Sequence, residues 1–491
     1  MSAQKKTSLG LNFLMNIVLT MSSFIFPLIT FPYVSRVLLA EGNGKLQLAT
    51  SIISYFLLIA QLGIPTYGIR ACAAVRDDKI KLTRTVHELT LIQFATMVIS
   101  YILFFLCLVF VPKLREDRLL YLITSSQIIL NTVGMEWLFK AMEQYTYITV
   151  RSLIFKVISV IAMFMLVRTK DDYLIYAAIQ VIAAGGSYVM NLMQLPKYIY
   201  LKPVGGYQIR QHLKPVLVLF AYVCATTIYT NLDSVMLGFM LTDADVGYYG
   251  VAVKIKSILV SVITALGAVL LPRVAYYYEH EMMDQFWDMA AKAFRVVLMM
   301  AVPLTVYFMT FAKQAILFIA GESYSQSILP MIVIMPTLIC IGLTSVTGMQ
   351  ILIPSKRENV VLYTSIAGAV VDLILNVLLV PVLRATGSAI GSLSAEVVGV
   401  IVHFVVLRKN LVPLIKSMRI GLTFCASAIS AVASFWTIFL SVPNVIVLVI
   451  SAVFFFGVYV LVLHFSKDPF IKAWEQKFFL LLKTKIGHSK A

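Results

Sequence analysis

Fourteen apolar segments, each about long enough to cross a lipid bilayer, fill this chain almost from end to end. A spanning helix needs about 20 apolar residues at a rise of about 1.5 Å each, so fourteen crossings take up roughly 280 residues of the 491. Hydrophobic residues make up 60% of the chain and charged residues 13%, whereas soluble proteins average about 45–50% and about 25%. The sequence therefore predicts an all-α integral membrane protein.

Long, continuous apolar runs favour helices over the short alternating segments of a β-barrel. The fourteen predicted spans are 12–38, 46–69, 86–111, 119–139, 146–167, 173–195, 215–241, 246–271, 293–319, 328–352, 359–381, 386–407, 418–440 and 444–464.

The basic residues fix the orientation, because Lys and Arg collect at the cytoplasmic ends of spans. With the N-terminus inside, cytoplasmic segments hold 28 of the 40 Lys and Arg residues and outer loops hold 9. We therefore expect a multi-pass membrane protein with both termini in the cytoplasm. The net charge of +17 then indicates contact with an anionic inner leaflet and needs no nucleic acid.

The two halves of the chain repeat. At an offset of 203 residues Gly44 coincides with Gly247, and at an offset of 214 the tripeptide at 134–136 matches the one at 348–350. A shift of six helices keeps their orientation, which predicts two six-helix bundles related by a parallel pseudo-two-fold repeat. The predicted parts are an N-terminal six-helix lobe at 1–210, a C-terminal six-helix lobe at 211–410, helices 13 and 14 at 411–466, and a cytoplasmic amphipathic tail at 467–491.

The last two parts differ in charge. Residues 420–463 carry no charged side chain, so helices 13 and 14 can face lipid all round. In the tail, Phe470, Trp474, Phe478 and Leu481 recur at helical spacing among lysines, which is typical of an interfacial helix.

Several classes of function are disfavoured. The outer loops are all short, which argues against a membrane-embedded polysaccharide polymerase or glycosyltransferase. No GxxxxGK[ST] motif follows a strand-like segment, so ATP-driven transport by this chain is not expected. The five cysteines are scattered without a CxxC pair, and we expect no metal and no cofactor. A transporter without enzymatic activity fits these observations.

Charged residues inside spans normally face a cavity or a partner. Lys254 shares a helix face with Ser257 and Ser261, which predicts a polar lumen surface that contacts an anion. Asp233 lies at a similar depth, roughly 12 Å from the outer surface, and can either orient Lys254 for an anionic substrate or neutralise it in a structural ion pair. Arg36 is either a second anion contact near the outer mouth or a side chain that snorkels to the interface.

A second group is acidic. Asp372 and Asn376 lie one turn apart in one span, and Glu396 and His403 lie two turns apart in the next. Asp372 and Glu396 reach similar depths, and two nearby carboxylates favour a shared proton or Na⁺. These four residues are the predicted cation-coupling site, and hydrogen bonding to neighbouring helices is the alternative.

Two charges remain in the first lobe. Glu136 and Lys156 are expected near the cytoplasmic ends of their spans, in contact with interfacial water.

Six stretches resemble, in order and spacing, the polysaccharide-transporter family of the multidrug/oligosaccharidyl-lipid/polysaccharide exporter superfamily. They are FPLITFPYVSRVL (26–38), GMEWLFKAMEQYTYITVRSLIFK (134–156), NLDSVMLG (231–238), VGYYGVAVKI (246–255), LLPR (270–273) and GAVVDLILNVLLVPVLRATGSAIGS (368–392).

The resemblance implies fourteen helices in two lobes that flip a polyprenyl-pyrophosphate-linked oligosaccharide outward by alternating access, for O-antigen, capsule or teichuronic-type polymers. The family commonly has Asn where Asp372 stands, so cation use there is either particular to this chain or absent. Lipid II flippases carry charged residues early in the first span, whereas Asn12 and Asn16 are the strongly polar residues there in this chain.

One alternative of the same superfamily stays open. A cation-coupled multidrug extruder is expected to have an acidic lumen and twelve helices, so fourteen helices and Lys254 favour the flippase.

Overall fold

The computed structural model describes residues 9–467 of the chain, so the predicted tail lies almost wholly outside the described residues. Helices dominate this range, and connections between them are short. The first nine α-helices are α1 (Leu9–Gln61), α2 (Ile64–Ala74), α3 (Lys79–Phe110), α4 (Pro112–Glu116), α5 (Arg118–Gly134), α6 (Glu136–Ala141), α7 (Tyr145–Leu166), α8 (Tyr173–Gly185) and α9 (Val189–Tyr198).

The second half continues in the same way. Its α-helices are α10 (Arg210–Met240), α11 (Asp243–Glu279), α12 (Met283–Thr310), α13 (Ala312–Ile319), α14 (Ile328–Ile334), α15 (Thr337–Ser345), α16 (Glu358–Leu383), α17 (Ala385–Ser417), α18 (Ile420–Ser434) and α19 (Asn444–Phe465). Short 3₁₀-helices lie at Gly186–Tyr188, Glu322–Ser327 and Phe435–Phe439, and a π-helix lies at Val346–Leu352.

Within residues 9–467, ten helices are long and apolar enough to cross a membrane. The number rises to twelve if each of two bent pairs counts as one span. These pairs are Arg210–Ala221 with Thr226–Met240, bent by 48°, and Glu322–Ile334 with Thr337–Leu352, bent by 44°. The all-helical membrane architecture is confirmed, and the number fourteen stays a prediction.

Two features explain the difference between twelve and fourteen. A single run, Gly10–Ala74, contains the first two predicted spans and counts once. Its backbone leaves helical geometry at Leu39, with φ 58° and ψ −173°, in the predicted connection between 12–38 and 46–69. The fourth predicted span is divided by Met135 in a left-handed conformation, φ 40°, which leaves α5 with 17 residues. Hydropathy reports apolar length and is insensitive to such backbone breaks.

The ninth predicted span, 293–319, is displaced. Helix α12 begins at Met283 and ends at Thr310, because its first turns are polar and extend beyond the apolar stretch. One of these turns carries an exposed ion pair between Lys292 and Asp288, at 2.6 Å.

Polar side chains fix chain turns outside the spans. Asp78 caps α3, and its carboxylate accepts bonds from the backbone N–H groups of Lys81 and Ile80 at 3.1 and 3.0 Å. Asp172 accepts from the N–H groups of Arg168 and Thr169 at 2.8 and 2.7 Å. Donors to a carboxylate favour its ionised form, so the Lys81 N–H lowers the pKa of Asp78 and the Arg168 N–H lowers that of Asp172.

The described chain forms two compact units. The first takes in the residues up to Val251 with Ile319–Tyr324 and Ala369–Gly391, and the second takes in Ala252–Phe318, Ser325–Gly368 and the residues from Ser392. These units rest on spatial contacts, whereas the predicted lobes rest on sequence repetition. The lobes therefore stay a prediction.

Helices 13 and 14 of the prediction correspond to α18 with its 3₁₀ extension and to α19, and they pack against α12 inside the second unit. The Tyr307 hydroxyl donates to the carbonyl of Leu448 at 2.8 Å, and the Tyr459 hydroxyl donates to that of Met299 at 3.0 Å. Buried serines line α18, among them Ser430. The prediction that this pair faces lipid all round is wrong. It was based on the absence of charged residues, whereas the contacts with α12 are made by uncharged polar side chains.

Candidate functional site

The predicted lumen face of α11 lies in the second unit. Lys254 is half-buried and Ser257 is exposed. The Ser257 hydroxyl donates to the Val253 carbonyl at 2.8 Å, and the Ser261 hydroxyl donates to the Ser257 carbonyl at 2.7 Å. Each hydroxyl oxygen can still accept a hydrogen bond. This face therefore presents the Lys254 ammonium beside two hydroxyl groups.

A buried polar network in the first unit contains Asp233 of α10. Asn376 of α16 donates from Nδ2 to Asp233 Oδ1 at 2.8 Å and to Asp372 Oδ1 at 3.0 Å. The Tyr249 hydroxyl donates to Asp233, and the Ser388 hydroxyl donates to Asn376 Oδ1 at 2.7 Å. All five side chains are at most 5% exposed.

Close packing holds this network. A methyl group at Gly391 of α17 would lie 2.7 Å from Asp372 Oδ1 and 3.1 Å from Asn376 Nδ2, so glycine lets α17 approach α16 at this level. Two carboxylates that share one amide donor repel each other when both are ionised, which favours a proton or cation beside one of them. Carboxylate oxygens of this kind suit a hard ion such as Na⁺.

The network partly matches the sequence prediction. The pairing of Asp372 with Asn376 is present, and Asp233 joins it. Lys254 and Glu396 belong to the second unit, so their predicted meetings with Asp233 and Asp372 stay predictions. Among the residues that the structure describes, no group of three His, Cys, Asp or Glu side chains could hold a metal ion.

Two members of the network escaped the sequence analysis. Tyr249 lies in the motif VGYYG and Ser388 in ATGSAIGS, both of which carried the family resemblance. Each bonds to a residue on another helix, Tyr249 to Asp233 and Ser388 to Asn376, so the pattern along its own helix does not reveal it.

His403 has a polar partner in the second unit. Its Nδ1 lies 2.7 Å from the Thr347 hydroxyl, and the side chain is 3% exposed. Thr347 belongs to the π-helix, a local widening that is frequent at functional sites. Glu396 lies two turns away on the same helix, α17.

Arg36 lies on α1 and is exposed. Its Nη1 donates to the carbonyl of Pro32 at 3.2 Å, and its Cγ packs 3.5 Å from the position of a Cβ on Gly321. Both predicted roles of Arg36 therefore remain open.

Contacts between the two predicted lobes occur inside the first unit, at the predicted outer end. Methyl groups on Gly44 or Gly247 would overlap the carbonyls of Asp243 or Ala40, so the two glycines related by the repeat lie at one close helix contact. Beside it, Lys113 of α4 pairs with Asp243 at 3.0 Å. We call this contact the glycine seam.

A second structural link lies nearby. Asn43 donates to the Tyr324 hydroxyl at 2.7 Å, and Arg384 holds buried Asp245 through two bonds of 2.7 Å. A bidentate guanidinium fixes geometry as well as charge.

The predicted first lobe contains a buried ion pair. Arg151 is 2% exposed within α7 and pairs with Glu136 at 3.2 Å. Glu136 also pairs with Lys140 at 2.8 Å, and its position near interfacial water stays a prediction. Lys156 lies eleven residues after Tyr145 and ten before Leu166, at the middle of α7. The prediction that places it near a cytoplasmic end is wrong, because that estimate did not count residues from the end of the span.

Solved structures show the fold to which the chain is similar. A structure titled "Lipid II flippase MurJ, inward closed conformation" matches with TM-score 0.71 and 14% identity, over 92% of this chain and 99% of that one. A multidrug resistance MATE family transporter of the MOP superfamily, in an inward-facing conformation, matches with TM-score 0.60 and 15% identity, over 82% and 99%. At these identities the likeness shows the fold alone.

Sequence relatives point to the family. A protein of Escherichia coli (strain K12) named "Putative O-antigen transporter" is 21% identical over 80% of this chain and 94% of its own length. A Shigella dysenteriae protein of the same name is 24% identical over 77% and 94%. Residues 9–277, more than half of the chain, match the family model described as "Polysaccharide biosynthesis protein". The chain therefore belongs to the polysaccharide biosynthesis protein family of membrane transporters.

Proposed function

We propose that this protein is a flippase that carries a polyprenyl-pyrophosphate-linked oligosaccharide from the inner to the outer leaflet of the bacterial cytoplasmic membrane. The observation that carries the proposal is the family match over residues 9–277. Relatives named as O-antigen transporters and a fold shared with a lipid II flippase support a lipid-linked sugar as the substrate class.

The chemistry of the chain fits such a substrate. A pyrophosphate-linked head group cannot cross hydrocarbon unaided, because its charges lose their hydration. The half-buried Lys254, beside the hydroxyls of Ser257 and Ser261, supplies a cation and acceptors that can replace water. The polyprenyl chain can stay in lipid while the head group follows the polar surface.

Alternating access is the transport mechanism that we propose. The glycine seam and the Lys113–Asp243 pair join the outer ends of the predicted lobes without large interlocking side chains. Such a contact can separate and form again as the lobes move. A substrate would then meet the polar surface from one side of the membrane at a time.

Coupling to a cation gradient is part of the proposal. The network of Asp233, Asn376 and Asp372 favours one proton or Na⁺, and release of that ion leaves two buried charges that repel. Binding and release thus change the stability of the contact between α10 and α16. His403 and Glu396 are the second candidate for this role.

The experiment uses the purified full chain in proteoliposomes that contain a fluorescent undecaprenyl-pyrophosphate oligosaccharide. A membrane-impermeant quencher reports the initial rate at which the labelled head group changes leaflet. We expect flipping that is faster than in protein-free vesicles and faster under a proton or Na⁺ gradient. An unchanged rate with folded protein would contradict the proposal.

A cation-coupled multidrug extruder is the second candidate, favoured by the buried carboxylates of Asp233 and Asp372. The same vesicles separate the two functions. Gradient-driven ethidium transport without movement of the lipid-linked sugar would establish the extruder and exclude the flippase.

A further inference from the structure

Helix α1 has two different exposed faces. Asn16, Thr20 and Ser23 are exposed and recur at i, i+4 and i+7, which places them on one face. The opposite face carries an exposed apolar stripe that suits contact with lipid. This stripe comprises Leu14, Val18, Met21, Ile25 and Leu28. Because exposed polar groups in a spanning helix are expensive in hydrocarbon, the polar face of α1 borders water or a polar ligand.

Lys156 of α7 reaches this polar face. Its Nζ donates to the hydroxyls of Ser22 and Ser23 at 2.7 and 3.1 Å. On α7 itself, Lys156 lies opposite the exposed apolar stripe, which comprises Ile154, Val157, Ile158 and Ile161. A bond of 2.9 Å from the Thr149 hydroxyl to the Met15 carbonyl holds α7 on α1 about two turns away. The ammonium group is therefore held at a defined place on the polar surface.

Among the described residues, Lys156 forms no salt bridge. Its contacts are the hydroxyls of Ser22 and Ser23 and the ring of Phe26, whose centroid lies 5.9 Å from Nζ. Glu136 acts on Lys156 electrostatically from beyond ion-pair distance and is itself paired with Arg151 and Lys140. A cation at mid-membrane depth without an acid beside it requires either water or an anionic ligand. An ammonium has three N–H donors, so one stays available beside the two serine bonds.

We propose that Lys156, positioned by Ser22 and Ser23, binds the phosphoryl oxygens of an anionic substrate on the first predicted lobe. This inference rests on the proposed function, to which it adds a phosphate contact on α7 and α1, separate from Lys254 of α11. Asn16 and Thr20 extend the surface with groups that donate to and accept from a sugar or a phosphate.

Binding of inorganic pyrophosphate tests the site directly. The purified full chain in detergent is titrated by calorimetry at physiological ionic strength, where charges beyond about 8 Å are screened. We expect Lys156→Gln to raise the Kd at least about tenfold, which corresponds to about 1.4 kcal/mol, and Lys156→Arg to stay within about threefold of the original chain. Lys292→Gln is the matched control, because Lys292 forms an exposed pair with Asp288.

Equal affinity of the original chain and of a monodisperse Lys156→Gln variant would overturn the inference. Ser23→Ala gives a second test that keeps every charge. It removes one of the two hydroxyls that hold Nζ, and we expect weaker pyrophosphate binding with an unchanged melting temperature. Unchanged binding by Ser23→Ala would remove the positioning role of that serine.

Transport separates this inference from the proposed function. If the original chain flips the pyrophosphate-linked lipid and Lys156→Gln flips it equally well, the phosphate contact is wrong and the flippase stands. If the original chain does not flip that lipid, the proposed function fails, whatever the titration shows. Vesicles of phosphatidylglycerol provide the other phosphate source. Competition by these vesicles that depends on Lys156 would assign the site to a membrane phospholipid and overturn its assignment to the substrate.

Discussion

Substitution of Asp372 by Asn should remove the dependence of transport on a cation gradient. The oxygens Asp233 Oδ1 and Asp372 Oδ1 bond to one nitrogen, at 2.8 and 3.0 Å, and so lie less than about 6 Å apart. At an effective dielectric constant of about 20, two unit charges at this distance repel by about 3 kcal/mol. This repulsion alone corresponds to a factor of about a hundred between the state with one bound proton or cation and the state with both carboxylates ionised.

Asparagine keeps the size of the side chain and an acceptor oxygen but loses the charge and the exchangeable proton. The Asp372→Asn variant can therefore form the network without an added cation, and we expect equal flipping rates with and without a proton or Na⁺ gradient. Na⁺ or a lower pH should raise the melting temperature of the original chain. The melting temperature of the variant should not respond to either.

The measurement is the initial flipping rate in proteoliposomes, with each gradient imposed in turn. Asp288→Asn is the control, because Asp288 is an exposed acid outside the network. A full gradient response in Asp372→Asn, at equal amounts of folded protein, would refute the reasoning. The two carboxylates would then have a structural role only.

Three further predictions concern the polar face, the topology and the glycine seam. Lys254→Ala should abolish polymer export while Lys256→Ala is tolerated, since Lys254 alone shares a face with serines; equal effects at equal expression would contradict this face assignment. Topology can be tested in a variant without the native cysteines. An impermeant thiol reagent outside the cell should label single cysteines introduced in 242–245 and should not label those introduced in 276–284. The reverse pattern would show that the topology is inverted. Gly247→Leu should reduce export severely because the added side chain overlaps the Ala40 carbonyl, whereas retained export would show that the contact is dispensable.

The sequence predicts the membrane class and most helix positions, because apolar length and the distribution of Lys and Arg are properties of local sequence. It does not predict the break at Met135 or the packing of α18 and α19 on α12. A backbone break and a contact between distant helices both depend on neighbours that hydropathy does not contain.

The candidate site was predictable only in part. Asp372 and Asn376 were found together because a spacing of one turn places residues on one face. Tyr249 joined them through tertiary contact between α10, α11 and α16, which one sequence cannot supply. The mid-helix position of Lys156 was predictable from the sequence, since a residue eleven positions after the start of a helix lies about 16 Å along it.

The glycine seam also bears on how easily the protein can change state. Where Gly44 and Gly247 meet, backbone touches backbone, so separation uncovers little apolar side-chain area and loses little hydrophobic stabilisation. The glycine seam therefore leaves no room for solute when the helices meet, and its packing contributes little to holding them together. Under the proposed alternating access, moving the equilibrium between joined and parted forms from 1:99 to 99:1 takes about 5.5 kcal/mol of differential binding. In this proposal the bound ligand, and not the packing of the two helices, determines the proportion of the joined and parted forms.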